Sequence, residues 1–312
     1  MPNRKVIIER VPRWGWPNVL RLANESVELL ITLDVGPRIL SYRFHDGPNV
    51  FKVFTDQMGR SGEPNWVGRG GHRLWTAPED LTRTYAPDNG PVEWSEVQDG
   101  VCVASHDTVH SVRKEMEIIL ESEHVRVEHS ITNTADTSTS LAAWALTVLA
   151  PGGVEILPLP PKRPHPGLPE QASSADDYAS NQNIVLWPFF DFTDDRWTFG
   201  HRFILLRQNE TATHPTKIGL MHREGWAAYQ VTGCLFVKEI PYLEGQDYPD
   251  RGCNVETFTN ADMLEMETLS PLSTLAAGET VSHIERWSLH RLSQSVRTED
   301  DAGRFVSPLA RP

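Results

Sequence analysis

Apolar and polar side chains alternate along most of this chain, and this period of two constrains its fold more than any other feature. The alternation is plain in residues 113–120 and 124–132, and turn residues such as Asp-Val-Gly-Pro at 34–37 separate such runs. Successive side chains of a β-strand point to opposite faces, so the pattern is that of strands rather than helices. The sequence therefore predicts an all-β protein built from many antiparallel strands.

Strand-like segments recur along the chain, mostly about 8–15 residues apart. They are residues 27–33, 38–44, 49–54, 101–104, 113–120, 124–132, 140–149, 217–220, 226–231, 234–239, 254–259, 264–269 and 281–289. Many short strands at this spacing are typical of a β-sandwich or a barrel. No Gly-x-Gly-x-x-Gly or P-loop motif follows a strand, which disfavours the nucleotide-binding folds that carry them.

One long segment, residues 158–183, interrupts the strand pattern with many prolines and then a Ser- and Asp-rich stretch. Such a segment is either a linker between two domains or a long surface loop. Because similar strands continue on both sides, we interpret it as a surface loop within one domain of residues 1–292. We expect this loop and the following Leu-Trp-Pro-Phe-Phe at 186–190 to border a ligand cleft. Residues 293–312 are predicted to be a polar tail that frays or packs on the outside.

The charge balance narrows the possible partners. The chain has 29 Lys and Arg against 42 Asp and Glu, a formal net charge of -13. Such a chain repels polyanions, so we expect neither nucleic acid nor an anionic membrane as a partner, and a neutral or cationic small molecule is favoured. No apolar stretch approaches the ~18 residues of a membrane span and no secretory signal is visible, so we expect a soluble cytoplasmic protein. Three widely spaced cysteines indicate neither a disulfide framework nor a zinc cluster.

The first candidate site segment is residues 70–79, Gly-Gly-His-Arg-Leu-Trp-Thr-Ala-Pro-Glu. Its two glycines allow a positive φ or a close backbone approach. His72 can exchange protons near neutral pH, Arg73 can donate to hydroxyls or carboxylates, and Trp75 offers a flat face to a sugar ring. Glu79 adds a carboxylate. The alternative is a glycine-rich turn in which His72 and Arg73 bond backbone carbonyls.

Two late strands carry carboxylates. Glu256 lies in Asn-Val-Glu-Thr-Phe-Thr-Asn at 254–260, and Glu265 and Glu267 lie in Leu-Glu-Met-Glu-Thr at 264–268. Glu265 and Glu267 share one face of their strand, where repulsion and burial would raise a carboxyl pKa and produce a usable base or acid. The alternative is a solvated sheet edge with two ordinary glutamates.

Lys217 and Trp226 complete the candidate set. Lys217 stands among apolar neighbours and is either a cavity cation or a surface cap, and Trp226 offers a second stacking face. The sequence has no His-Glu-x-x-His motif and no His pair at metal-ligand spacing with a third ligand, so we expect no catalytic metal. It also lacks Gly-x-Ser-x-Gly, which disfavours a serine hydrolase.

Taken in order, several segments resemble the galactose mutarotase-like superfamily, which includes the aldose 1-epimerases. They are residues 27–44 with Gly36-Pro37-Arg38-Ile39-Leu40, residues 70–79, Ile131-Thr132-Asn133-Thr134, Trp144-Ala145-Leu146-Thr147, Pro151-Gly152-Gly153, residues 264–268, Leu275-Ala276-Ala277-Gly278-Glu279 and Trp287. The segments span roughly residues 25–289, and their order carries the resemblance more than any single motif. The resemblance implies a β-supersandwich.

The resemblance also implies a chemistry that needs no cofactor, on a monosaccharide or a close derivative. A base removes the proton of the anomeric hydroxyl while an acid protonates the ring oxygen, and the ring opens and closes again in the other configuration. The family's base is a glutamate on a late strand, and the match lands on Glu267. Glu265 is the alternative if the register shifts by two residues.

The sequence departs from the family at the position of the general acid. The family carries a histidine just after its Thr-Asn strand, but residues 142–147 here read Ala-Ala-Trp-Ala-Leu-Thr. We therefore infer from the residues themselves that His72 supplies the acid, while Arg73, Lys217 and Glu256 bind hydroxyls or an acidic substituent. The other residues of the predicted binding set are Trp75, Glu79, Trp226 and Glu265.

Two alternatives to an aldose 1-epimerase stay open. The fold also serves as a binding module, so the chain could bind carbohydrate without catalysis. It could instead be a hydrolase or lyase that uses Glu256 and Glu267 as a carboxylate pair across a cleft.

Overall fold

The computed structural model describes residues 6–121 and 124–310, and within them the chain forms 21 strands. The strands are β1 (Ile7–Arg13), β2 (Trp16–Ala23), β3 (Val27–Thr32), β4 (Arg38–Phe44), β5 (Gly71–Ala77), β6 (Glu93–Val97), β7 (Gly100–Asp107), β8 (Val112–Leu120), β9 (His124–Asn133), β10 (Thr139–Leu149), β11 (Val154–Pro158), β12 (Ile184–Leu186), β13 (Trp197–Phe199), β14 (Phe203–Arg207), β15 (Thr216–Leu220), β16 (Trp226–Val231), β17 (Cys234–Glu239), β18 (Val255–Thr259), β19 (Leu264–Leu269), β20 (Ser273–Leu275) and β21 (Thr280–Arg291). Short helical turns occupy Thr55–Gln57, Pro169–Gln171, Ala175–Tyr178, Pro249–Gly252, Glu299–Asp301, Ala302–Val306 and Ser307–Ala310. In these described ranges no helix has the length and apolar character needed to cross a membrane.

The strands form two large antiparallel sheets. The first has the order β1-β2-β3-β4-β5-β10-β19-β18-β15-β12, with β20 pairing to β10. The second has the order β13-β14-β11-β16-β17-β21-β9-β8-β7-β6. Strands from before and after residues 158–183 pair in both sheets, β10 with β19 and β11 with β16. This architecture confirms the predicted all-β sandwich.

The main core lies between the two sheets. Tyr42 and Met266 from the first sheet belong to the same buried cluster as Phe236 and Trp287 from the second. Because side chains alternate along a strand, the sequence neighbours of these core residues point to the outer faces of the sheets. Each central strand of the first sheet therefore sends one set of side chains into the core and another set away from the second sheet.

The C-terminal tail packs on the outer face of the second sheet. Val296, Ala302, Val306 and Ala310 are buried there, in one cluster with Trp226. The sequence predicts a polar tail that frays or packs on the outside, and the described part of the tail packs. Its apolar residues recur every fourth position between 302 and 310, which places them on one side of the helical turns. Residues 311–312 lie outside the described residues.

Candidate functional site

Two glycines bring the start of β5 close to neighbouring backbone. Gly70 and Gly71 have φ values of 82° and 70°. A Cβ at Gly70 would lie 2.1 Å from the Lys52 carbonyl oxygen, and one at Gly71 would lie 2.4 Å from the Ile39 carbonyl oxygen. Only glycine fits at these positions, as residues 70–79 led us to expect. The close packing anchors β5 beside β4 just before its polar residues begin.

The outer face of the first sheet bears a cavity of about 350 Å³, which we call the aromatic cavity. Six of the nine predicted site residues line it: Arg73, Trp75, Glu79, Lys217, Glu265 and Glu267. Its other lining rings include Trp66, Tyr85, Trp144, Trp187 and Phe189. Two residues of the segment 186–190, Trp187 and Phe189, line this cavity, whereas no residue of the 158–183 loop does.

The register of the central strands assembles the charged residues of the cavity. Leu146 on β10 pairs with Arg73 on β5 and with Glu267 on β19, and Glu267 pairs with Glu256 on β18. Residues directly opposite each other on neighbouring strands share a face. Arg73, Glu267 and Glu256 therefore form one row across the outer face, although 183 positions of sequence separate Arg73 from Glu256.

Lys217 joins Glu256 and Glu267 in a buried triad. Its Nζ lies 2.7 Å from Glu256 Oε2 and 3.0 Å from Glu267 Oε2, and each glutamate is 1% exposed. Trp144 Nε1 also donates a hydrogen bond to Glu267 Oε2, at 2.9 Å. From the described residues, Glu267 Oε1 receives no hydrogen bond. That oxygen therefore has capacity for a further hydrogen-bond donor.

Burial and the neighbouring charges together shift the pKa values of all three residues of this triad. Burial raises the pKa of Glu267 against the opposing effect of Lys217, and repulsion from Glu265 adds to the rise. Burial also raises the pKa of Glu256 well above its usual range. Burial disfavours the charged form of Lys217, but the two carboxylates outweigh it and raise the Lys217 pKa. The lysine therefore stays protonated at neutral pH, beside a carboxylate suited to accept a proton.

Arg73 and Trp75 form a second packed unit of the cavity wall. Arg73 Nη2 donates to Glu265 Oε1 at 2.9 Å, and its guanidinium lies 4.2 Å from the centroid of the Trp75 ring. Trp75 is 6% exposed and packs edge-on against Trp144 and Tyr85. Protein atoms thus take up most of the ring that the sequence proposed as a stacking face.

A buried arginine holds the loops that bring aromatic side chains over the cavity. Arg38 on β4 is fully buried and donates to the carbonyl oxygens of positions 67 and 68 and to the Asp88 carboxylate. These bonds fix the chain on either side of Tyr85, whose hydroxyl donates to Glu79 Oε1 at 2.6 Å. Trp66 packs on Tyr85 at 5.5 Å between ring centroids.

His72 lies on the opposite face of β5 from Arg73, inside the sandwich. It is fully buried, with its Nε2 2.7 Å from His129 Nε2 and its Nδ1 2.9 Å from Thr147 Oγ1. Burial lowers the pKa of His72 well below its usual value. Consecutive strand residues point to opposite faces, so the structure separates His72 from the cavity. This placement corrects the inference that His72 serves as the acid toward a ligand bound beside Arg73.

Two further predicted residues lie away from the cavity. Trp226 is buried on the outer face of the second sheet beside Phe203, in the cluster that the tail covers, so it offers no face to a cavity ligand. Glu256 lies behind Lys217 rather than in the cavity wall. Glu256 and Glu267 share one ammonium on the same side of the cavity, instead of facing each other across a cleft as a hydrolase pair would.

Three core residues bring potential metal-ligand atoms close together. His72, His129 and Glu285 each offer a ligand atom, all within 4.8 Å of one another. The two histidine Nε2 atoms are 2.7 Å apart, whereas two nitrogen ligands ~2.0–2.1 Å from a tetrahedral zinc ion stand ~3.3 Å apart. Lys238 Nζ already pairs with Glu285 Oε1 at 2.9 Å. The spacing therefore fits a hydrogen-bonded cluster rather than a metal site.

Comparisons with known proteins show the fold. The sequence matches no protein-family profile and no curated protein sequence. A galactose mutarotase-like protein from Lactobacillus casei aligns over 88% of this chain and 100% of its own, with a TM-score of 0.56 and 10% identity. One from Clostridium acetobutylicum covers 92% and 99%, with a TM-score of 0.53 and 12% identity. A galactose mutarotase related enzyme from Lactobacillus acidophilus covers 90% and 100%, with a TM-score of 0.51 and 9% identity. The chain has the galactose mutarotase-like fold.

Proposed function

We propose that the aromatic cavity binds a monosaccharide or a close derivative. The observation that carries this proposal is the pairing, in one cavity, of aromatic rings with charged groups that have unused hydrogen-bonding capacity. Aromatic faces pack against the apolar faces of sugar rings, and carboxylates bond sugar hydroxyls. A volume of about 350 Å³ lies at the small end of ligand sites and suits one sugar ring.

The protein's own cations leave particular rings free for the sugar. Arg73 or Lys217 lies over each of the four tryptophans in the cavity wall, at 4.2 to 5.4 Å. Over Tyr85 and Phe189 no described cation is placed, and Phe189 is 42% exposed. We therefore place the apolar face of the sugar ring against Phe189 and Tyr85.

A second candidate function, anomerisation of the bound sugar, is favoured by Glu267. Its raised pKa and the oxygen without a donor suit a base that takes the proton of the anomeric hydroxyl. Trp144 stands in the segment where the resembling family has a histidine, and its indole N–H is a donor that does not exchange protons at neutral pH. We infer that Glu267 is the one catalytic group: it takes the anomeric proton, a water molecule protonates the ring oxygen, and Glu267 passes its proton to the hydroxide that remains.

Binding is tested by thermal shift with aldoses, uronic acids and amino sugars, because a ligand that binds only the folded state raises the melting temperature. We expect at least one sugar to do so and Phe189→Ala to weaken its affinity about three- to tenfold. Phe199→Ala is the matched control, since Phe199 is 46% exposed and does not line the cavity. A panel in which no sugar shifts the melting temperature would reject the proposal.

Anomerisation is tested by polarimetry or NMR exchange on the sugar that binds. Removal of one positioned base costs at least about 10²-fold, so Glu267→Gln should return the rate to the spontaneous one while the protein still binds. Glu265→Gln should retain most of the rate, because Glu265 is paired with Arg73. If Glu265→Gln is instead the inactive variant, the base is two residues from its predicted position. Binding without acceleration by the wild type would leave the binding function alone.

A further inference from the structure

The aromatic cavity holds more carboxylates than cations, and this excess bears on the chemistry of its ligand. Glu79, Glu265 and Glu267 line the cavity, against two lining cations, Arg73 and Lys217. With these five lining groups ionised, the cavity wall carries one more negative charge than positive.

Both cations are already engaged. Arg73 pairs with Glu265 at 2.9 Å, and Lys217 pairs with Glu267 at 3.0 Å and with Glu256 at 2.7 Å. Each cation is therefore already balanced by a glutamate, and a carboxylate or phosphate on a ligand would add a further negative charge beside Glu265 or Glu267, which disfavours it. The expectation that Arg73 and Lys217 bind an acidic substituent is therefore not favoured by this geometry.

Two carboxylates of the cavity have capacity for a further donor. Glu79 accepts a hydrogen bond from the neutral Tyr85 hydroxyl, and no described cation pairs with it. Glu267 Oε1 receives no hydrogen bond within the described ranges. In the triad two glutamates share one ammonium, and Glu256 Oε1 is buried without a hydrogen-bond partner there. A cationic donor in the cavity would compensate this excess.

We propose that the ligand is an aldose that carries a free, protonated amino group. The proposal rests on the carbohydrate-binding function proposed above. The ammonium donates to Glu79 or to Glu267, both of which line the cavity. A hydrogen bond between an ammonium and a carboxylate is about twice as strong as one between neutral groups. N-acetylation keeps the sugar ring but removes the charge, and it should therefore remove the gain.

The test compares four forms of each hexose in the gluco, galacto and manno configurations: neutral aldose, 2-amino-2-deoxy sugar, its N-acetyl derivative and the uronic acid. Affinities are measured by calorimetry on the full chain at a pH where the amino group is protonated, in low and in moderate salt. We expect the amino form to bind about tenfold more tightly than the neutral form of the same configuration. The preference should shrink as salt rises, and the uronic acid should bind most weakly.

Glu79→Gln separates the charge from the shape of the cavity. This exposed carboxylate becomes a neutral amide of the same size, so most of the amino preference should disappear while the melting temperature stays unchanged. Glu170→Gln, at another exposed glutamate outside the cavity, is the control and should keep the preference. Equal or tighter binding of the neutral or uronic form would overturn the inference and leave the proposed function standing. Binding of no sugar in any form would overturn both.

Discussion

The strands β5, β10 and β19 present one polar face to the aromatic cavity and another to the core. A buried lysine pairs with a glutamate on each side, but the two pairs differ in how completely their hydrogen bonds are satisfied. On the cavity side Lys217 pairs with Glu267 at 3.0 Å, and on the core side Lys238 pairs with Glu285 at 2.9 Å. The cavity lysine serves a second carboxylate as well, and Glu267 keeps an oxygen without a described donor. Among the described residues, the core lysine has one carboxylate as its ion-pair partner.

The core network consists of hydrogen bonds in a defined direction. Lys238 Nζ donates to Thr147 Oγ1 at 2.7 Å, and the Thr147 hydroxyl donates to His72 Nδ1 at 2.9 Å. His72 Nε2–H then donates to His129 Nε2 at 2.7 Å, and His129 Nδ1–H donates to the His283 carbonyl at 2.9 Å. This assignment leaves both imidazoles neutral and pairs all four of their nitrogens. Burial, which lowers the pKa of both histidines, favours the same state.

Both carboxylate oxygens of Glu285 accept hydrogen bonds in the core network. Its Oε1 accepts from Lys238 and from the Thr268 hydroxyl, and its Oε2 accepts from Trp287 Nε1 at 2.7 Å. A buried polar network whose members are all paired orders the structure, whereas one with unpaired oxygens has capacity for a ligand. The comparison teaches that a cluster of ionisable residues is a candidate site for a ligand when its hydrogen bonds are incomplete.

The largest expected effect comes from breaking the core ion pair. Lys238→Met leaves Glu285 buried without its cation, and we expect a loss of about 3–5 kcal/mol in the free energy of unfolding. Lys217→Met should cost less, because burial raises the pKa of Glu256 and Glu267 and these carboxyls can take up a proton instead. Urea unfolding at neutral pH measures both variants.

The double variant Lys238→Met with Glu285→Gln is the control, since it removes both charges of the core pair. Its loss should be smaller than that of Lys238→Met alone, because no unpaired charge remains. Equal losses for the two lysine variants would contradict the distinction between a closed core network and an open cavity network.

A second prediction concerns the pH dependence of stability that a further buried carboxyl in the core should cause. Glu155 on β11 is fully buried and faces the core, where Oε2 accepts from Thr257 and Oε1 has no hydrogen-bond partner among the described residues. Burial raises its pKa from 4.5 to about 8. Above pH 4.5 the unfolded chain releases this proton while the folded chain holds it, so this group makes the protein less stable as pH rises toward 8.

Glu155→Gln removes that titration. Relative to the wild type, the variant should gain about 2–4 kcal/mol in the free energy of unfolding between pH 5 and pH 8. Urea unfolding of both proteins at the two pH values gives the difference, in which the contributions of the other titrating groups cancel. A difference that does not change with pH would mean that Glu155 is ionised in the folded protein.

The sequence predicts the fold well because alternation is a local property. The predicted strands at 226–231, 234–239 and 264–269 coincide with β16, β17 and β19. The same alternation places Glu265 and Glu267 on one face, and it would have separated His72 from Arg73, because neighbouring strand residues point to opposite sides. Within residues 70–79, His72 faces the core and Arg73 faces the cavity, although they are neighbours in sequence.

Other features of the site depend on contacts between distant parts of the chain. Trp226 lies on the face of β16 that the C-terminal tail covers. The local sequence pattern does not predict which face of a sheet a distant tail will cover. Trp66 and Tyr85 reach the cavity because Arg38 bonds the loops that carry them. The position of Trp144 was predictable from the local sequence, because alternation puts it on the same face of β10 as Leu146, which pairs with Glu267.

The smallest expected effect tests the assignment of His72 to the core face. His72→Gln can keep one of the two side-chain hydrogen bonds, so we expect a loss of about 1–2 kcal/mol in the free energy of unfolding at pH 8. Burial keeps His72 neutral in the folded protein, while the histidine of the unfolded chain takes up a proton below its ordinary pKa of 6.5. The wild type therefore loses stability as pH falls below 6.5 and the variant lacks that loss, so the difference should shrink between pH 8 and pH 5.

The same variant should leave the cavity unchanged, because the His72 side chain lies on the other side of β5 from Arg73, among core residues. We expect the affinity for the bound sugar, and any anomerisation rate, to stay within about twofold of the wild type. Arg73→Gln on the neighbouring position is the matched comparison, since it frees Glu265 in the cavity wall and should change the affinity more than His72→Gln does. A tenfold loss of affinity or rate in a folded His72→Gln protein would show that the core face communicates with the ligand, and the two networks would then have to be treated as one.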